Sequence, residues 1–269
     1  MGKLSKRQRA DHARAEEILK LDGPLNEDQQ CEVLEHWHEG ARHLNGAASA
    51  HFTPYDLAFH LALEASAPRV LDLCAGIGAL SVANYHHNHS VIEEMVLVEI
   101  NPDYAAVAQK LLPQAEVIIG SVYDKVLMAE LALRGFDVVI SNPPFGSTAK
   151  DPTLRGPRYK GRMDYEVIDI ASDIANHGVF ILPQAALPFA YSGRQGCTRV
   201  ENEPYKKFSE KTGIELVMNC GIDTAGISNF RDVKIVTEIA LADFEELRRT
   251  RAELSLPQND LFSDLENAA

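Results

Sequence analysis

The sequence predicts an α/β fold in which a mostly parallel sheet carries helices on both faces, preceded by a helical N-terminal extension. Three observations predict it. From His51 onward short β-rich runs alternate with helical stretches, the pattern that βαβ units require. The helical stretches open on start signals. One run, ending at Asp72, passes straight into a turn of small residues and then a helix, as at a ligand-binding edge of such a sheet.

Taken in order, residues 1–50 are polar and helical, with Asn26 to His38 an amphipathic helix carrying Cys31, Val33, Leu34 and Trp37. They read as an appended cap. The main domain is expected over 51–244, with strands at Arg69–Leu73, Met95–Glu99, Glu116–Ile119, Phe136–Ser141, Gly178–Leu182, Ile214–Asn219 and Val233–Leu241. Thr53, Pro54 and Asp56 read as N-cap, first-turn proline and capping acid of one helix, and Asn101, Pro102 and Asp103 repeat the arrangement. Residues 245–269 form a charged helix and an acidic tail.

With 269 residues, 45% of them hydrophobic, the chain can bury one substantial core. No apolar run approaches bilayer length and Met1 to Lys20 is charged throughout, so a cytoplasmic protein with no membrane partner is expected. The cysteines (Cys31, Cys74, Cys197, Cys220) lack paired spacing, and His36, His38, His43, His86, His87 and His89 lack partners at ligand spacing, so no metal is expected. A net charge of −13 excludes indiscriminate coating of nucleic acid and leaves room for a local basic groove. Lys150, Arg155, Arg158, Lys160 and Arg162 are the candidates for such a groove, a solvated loop being the alternative.

Asp72 ends a strand that runs into Cys74, Ala75, Gly76, Ile77 and Gly78, where small residues let a ligand approach the backbone at a helix N-terminus. The next strand ends in Glu99, followed by Ile100, and an acid there can accept hydrogen bonds from both hydroxyls of a ribose. An adenosine-type ligand follows, with dinucleotides and S-adenosylmethionine not separated. After the third strand Ser121 or Asp124, with the backbone near Val122, could hold an adenine ring. Phe52, Thr53 and Pro54 precede the first strand and could fold back over the cofactor, a helix cap explaining Thr53 and Pro54 equally well.

The most specific feature is the strand 137–141 running into Asn142, Pro143, Pro144 and Phe145. Two prolines stiffen the turn, remove two N–H donors and leave carbonyl oxygens as acceptors. The Asn142 side-chain oxygen and the Pro143 carbonyl can each take one N–H of a delocalised amine, turning its lone pair toward an electrophilic methyl on sulfur. Phe145 would stack on a planar target, a contact of about 1–3 kcal/mol, and a base inside a duplex would first be flipped out.

Phe52 to Pro54, Asp72 to Gly78, Glu99 and Asn142 to Phe145 resemble, in that order, the motifs of class I S-adenosylmethionine-dependent amino-methyltransferases. The chain looks most like the adenine-N6 DNA enzymes with an Asn-Pro-Pro-Phe motif, phage-borne members included. The resemblance spans about 51–244 and implies a Rossmann-like seven-stranded sheet with the last strand antiparallel, S-adenosylmethionine as cofactor and DNA as partner. Cys74 replaces the usual first glycine of the turn, and no large target-recognition domain follows. The cytosine-5 enzymes share the glycine turn but need a Pro-Cys dipeptide, which the sequence lacks. Methylation of RNA, of a protein glutamine, or a non-catalytic binding subunit stay open as alternatives. In the tail Gln258, Leu261 and Phe262 are similar to the pentapeptide that docks on the bacterial sliding clamp; a tail packed on its own domain is the alternative.

Overall fold

A computed structural model of the chain describes residues 5–38, 52–146, 157–219, 221–227, 230 and 235–255. Helices α1 (Lys6–Leu19) and α2 (Glu27–His36) come first, each opened by a capping box, from Ser5 and Asn26. Then follow α3 (Tyr55–Ala62), β1 (Arg69–Leu73), α4 (Ala79–Asn88), β2 (Glu94–Glu99), α5 (Pro102–Leu111), β3 (Glu116–Ile119), α6 (Lys125–Arg134) and β4 (Phe136–Ser141). The second half holds α7 (Met163–Ala171), β5 (Ala175–Pro183), the short pair β6 (Phe189–Ala190) and β7 (Thr198–Arg199), α8 (Glu203–Thr212), β8 (Val217–Met218), β9 (Thr237–Asp243) and α9 (Phe244–Ser255).

The main sheet has seven strands in the order β3-β2-β1-β4-β5-β9-β8. β1 to β5 are parallel, and β9 runs antiparallel to β5 and β8. Alternate residues along the strands feed two apolar layers. Val70, Leu97, Val138, Ile140, Val179 and Ile181 face one, with α2, α3, α4 and α5; Leu71, Leu73, Val98, Val139, Phe180 and Leu182 face the other, with α7 and α8. Burial on both faces is why these strands read as unbroken apolar runs. Val33, Leu34 and Trp37 of the N-terminal segment belong to the first layer, so the extension shares the core of the sheet.

Asn101 caps α5 with Pro102 in its first turn, as expected. α3 differs. Its N-cap is Pro54, with no side-chain cap bond, and the Thr53 hydroxyl is engaged elsewhere. The expected strand 214–219 narrows to Val217–Met218 because it lies at the sheet edge and pairs with β9 alone. The small β6–β7 sheet was not expected. Its four residues are too few to show a period of two.

Among the described residues Cys74 is the one non-glycine with positive φ, +62°, which accounts for glycine being common there. A left-handed non-glycine residue costs about 1–3 kcal/mol, whereas glycine loses about 0.5–1 kcal/mol through its unfolded-state freedom. Cys74→Gly is therefore expected to melt within a few degrees of the wild type. Cys74→Val, β-branched at positive φ, should be less stable by about 2 kcal/mol, and a valine variant melting with the wild type would contradict this.

Candidate active site

The order of strands reverses between β1 and β4, and at such a point the loops leaving the two carboxyl ends diverge and open a crevice. Asp72 pairs in register with Ile140, so the turn after β1 and the Asn142–Phe145 turn leave the sheet side by side. The buried Ser141 hydroxyl donates to the Leu73 carbonyl and fastens the two strand ends together.

In the turn after β1, the Ala75 N–H donates to Val98 O at 3.1 Å and the Gly78 N–H to Ala75 O at 2.9 Å. Gly78, at φ +86°, precedes α4, and a Cβ there would stand 3.2 Å from the Ala108 Cβ, so α5 packs against the bare backbone. Cys74 is held in this turn, and burial pushes its thiol up, which keeps it from serving as a thiolate.

Glu99, 7% exposed, accepts from the Gly76 N–H on Oε2 at 2.7 Å and from the Asn101 N–H on Oε1 at 2.8 Å. Burial raises its pKa, opposed by these backbone donors. One carboxylate thus locks the end of β2 to the glycine turn, and each oxygen has a second lone pair for a further donor. Ile100 beside it is 67% exposed, an apolar surface where a ring could rest. On the following loop Asp124 accepts from the Val126 and Leu127 N–H groups as the N-cap of α6, so its carboxylate starts a helix. Ser121 Oγ accepts from the Tyr123 N–H at 3.2 Å, and Val122 is buried.

Asp72 is fully buried. Its Oδ2 accepts from the Ser81 hydroxyl at 2.7 Å, and among the described residues its Oδ1 has no hydrogen-bond partner. Burial lifts its pKa to about 7, with Ser81 opposing and Glu99 adding to the rise. Between its unfolded pKa near ~4 and about 7, the folded chain keeps a proton that the unfolded chain has lost. Stability conferred by this group therefore falls as pH rises across that window. Asp72→Asn should gain in urea midpoint relative to the wild type as pH rises from about 4 to about 7, the span of that window; a constant difference would contradict the assignment.

On β4's exit, the Asn142 side-chain N–H donates to Thr53 Oγ1 at 2.8 Å. Pro143 is buried and Pro144 exposed. The half-buried Phe145 meets Phe230 edge-on, with centroids 6.3 Å apart. Phe52 lies over the glycine turn, 3.5 Å from where a Cβ on Gly76 would sit. Residues 52–53 therefore reach both turns, Phe52 the one after β1 and Thr53 the one after β4.

The basic cluster is assembled differently from the expectation. Arg158 is paired with Asp169 at 2.8 Å and with Asp173, and Arg162 with Asp164 at 2.6 Å. Asp164 and Asp169 are fully buried on α7, and the Arg158 and Tyr159 N–H groups also donate to Asp169. These two guanidinium groups fasten the 157–162 segment to α7 and do not stand open to a polyanion. Lys160 is exposed; Lys150 and Arg155 lie outside the described residues, as do Gln258, Leu261 and Phe262.

Other residues near this edge gave no signal in the sequence. Glu238, 1% exposed on β9, accepts from Gln184, from the Tyr191 and Ser192 N–H groups and from the Ser192 hydroxyl, holding the 184–192 loop to the sheet. His86 lies on α4 between the Tyr55 hydroxyl and Gln30. Among the described residues no three His, Cys, Asp or Glu side chains gather as a metal site, and no helix is long and apolar enough to cross a membrane.

The family model of the methyltransferase small domain matches residues 57–154, from α3 through the Asn142–Phe145 turn. The fold is that of class I S-adenosylmethionine-dependent methyltransferases. Among solved structures of this fold, one described as a class I S-adenosylmethionine-dependent methyltransferase from Listeria monocytogenes superposes with a TM-score of 0.56 at 14% identity, over 89% of this chain and 81% of that one. One described as a modification subunit of a type I restriction enzyme from Vibrio vulnificus YJ016 gives 0.57 at 12% identity, over 83% and 51%. The type I restriction-modification methyltransferase subunit from Streptococcus thermophilus gives 0.53 at 14%, over 81% and 51%. The chain thus spans about half the length of the two restriction-system subunits. No curated protein matches it.

S-adenosylmethionine is the cofactor named in the description of the Listeria structure that shares this fold. The residues present fit it. Glu99 offers paired acceptors for a ribose diol, Ile100 an apolar surface, the Cys74–Gly78 turn a close backbone approach, and Asp72 a buried carboxylate oxygen without a partner among the described residues.

Proposed function

We propose that this methyltransferase transfers the methyl group of S-adenosylmethionine to the exocyclic N6 amine of adenine in DNA. The observation that carries the reading is the Thr53–Asn142 hydrogen bond, which sets the amide of the Asn-Pro-Pro-Phe turn beside the cofactor turn covered by Phe52.

With its nitrogen donating to Thr53, the Asn142 amide is fixed in one rotamer, and its oxygen is the acceptor assigned to one N–H of the target amine. The Pro143 carbonyl is assigned the second N–H. Pro143 and Pro144 keep that carbonyl from swinging away. When bound, the cofactor would supply an electrophilic methyl on a sulfonium: the C–N bond forms as the C–S bond breaks, the sulfur leaves as a neutral thioether, and the surplus proton on nitrogen passes to water, so no strong base is needed before transfer. Asn142 and Pro143 act by holding the lone pair in line and by meeting the positive charge that grows on the nitrogen. Phe145, braced edge-on by Phe230, is the surface on which the adenine stacks. Arg158 and Arg162 hold the neighbouring segment in place.

The test is to read adenine methylation directly on DNA from a host expressing the wild type or Asn142→Ala. New methylated adenines are expected with the wild type alone. Identical patterns from the two strains would reject the reading.

A further inference from the structure

Trp37 is the chain's single tryptophan. It follows α2 and is 1% exposed. Its indole N–H donates to Glu16 of α1 at 2.8 Å, and the ring of His12, also on α1, stands edge-on at 5.7 Å. The His38 N–H donates to His12 Nδ1 at 3.0 Å, so α1 holds both residues that leave α2. The indole in turn meets Phe52 at 5.7 Å and Tyr104 of α5 at 5.7 Å, while Phe52 and Tyr104 meet edge-on at 5.1 Å. Phe52 is therefore wedged between the N-terminal helices and α5, and its ring lies over Gly76 of the cofactor turn.

Aromatic cores are close-packed and their side chains sit in single rotamers. A shift of the indole therefore passes to the Phe52 ring, and from Phe52 to the turn that it covers. We infer that Trp37 is a positioning residue for the cofactor: through it the N-terminal helices set where Phe52 lies on the glycine turn. This goes beyond the transfer reaction and holds whichever substrate accepts the methyl.

A double-mutant cycle on cofactor affinity tests it, using the full chain with Trp37→Leu, Phe52→Leu and both together, titrated with S-adenosylmethionine by calorimetry. Trp37→Leu is expected to raise Kd about 10-fold, the range of coupling between residues in contact. The double variant should bind no more weakly than Phe52→Leu alone, because Trp37 acts through that ring. Multiplying effects, as two independent losses of core packing would give, or an unchanged Kd for Trp37→Leu, would overturn the inference. If Trp37→Leu does not fold, the wild type decides. Its tryptophan emission is expected to shift in step with cofactor saturation, and emission indifferent to saturation would overturn the inference.

Discussion

Asn142→Ala is expected to lower kcat by about 10²–10³, the loss seen when one preorganised polar group that meets developing charge is removed. The cofactor Kd should rise by less than about fivefold, because Asp72, Glu99 and the glycine turn are untouched. The asymmetry follows from position. Asn142 leaves β4 and is tied to Thr53, whereas Glu99, assigned to the ribose, stands on β2 and is tied to Gly76 and Asn101. Asn142→Asp should retain more activity than the alanine variant. A carboxylate still accepts from an amine, and the Thr53 hydroxyl can turn from acceptor to donor to hold it. Stopped-flow or steady-state kinetics with calorimetric binding separate the two quantities. Equal loss of kcat and cofactor affinity would move Asn142 from the transfer step to cofactor binding.

Glu99→Ala is expected to do the reverse, raising the cofactor Kd by 100-fold or more. Two hydrogen bonds to an ionised acceptor contribute about 1.5–3 kcal/mol each, and both ribose hydroxyls are assigned to this carboxylate. A second loss adds to it. The Gly76 and Asn101 N–H groups, now both satisfied by Glu99, would be left without that acceptor, loosening the turn. Glu99→Gln does not restore both roles, because its NH₂ would face a backbone donor on one side or the other. Calorimetry on the folded variants checks this, with circular dichroism to show that the sheet persists. A Kd within threefold of the wild type for Glu99→Ala would remove the ribose role.

Most of the sheet was legible in the sequence because β1, β2, β4 and β5 are buried on both faces, so their apolar runs stand out beside helix caps such as Asn101. β8 was legible in place but not in length, and the β6–β7 pair was not legible at all. Each is two residues long and exposed or at an edge, and strands that short carry no periodicity. The site divides the same way. Asp72, Glu99 and Asn142 announce themselves because each stands at or next to the end of a strong strand. The contacts that give them their geometry were hidden. Thr53 and Asn142 are 89 positions apart, and Trp37 reaches Phe52 through space. Arg158 and Arg162 looked like a polyanion grip because their acidic partners fold back from α7, where in sequence they pass for an ordinary charged helix.

The central claim is that paired oxygen acceptors at Asn142 and Pro143 present a nucleobase amine to the methyl donor. The most direct measurement incubates the protein with methyl-labelled S-adenosylmethionine and, separately, double-stranded DNA, structured RNA and release-factor protein, then locates the label by mass spectrometry. Label on the adenine N6 of DNA, lost with Asn142→Ala, is the predicted result. Label confined to protein, or present at wild-type level with the alanine variant, would contradict it.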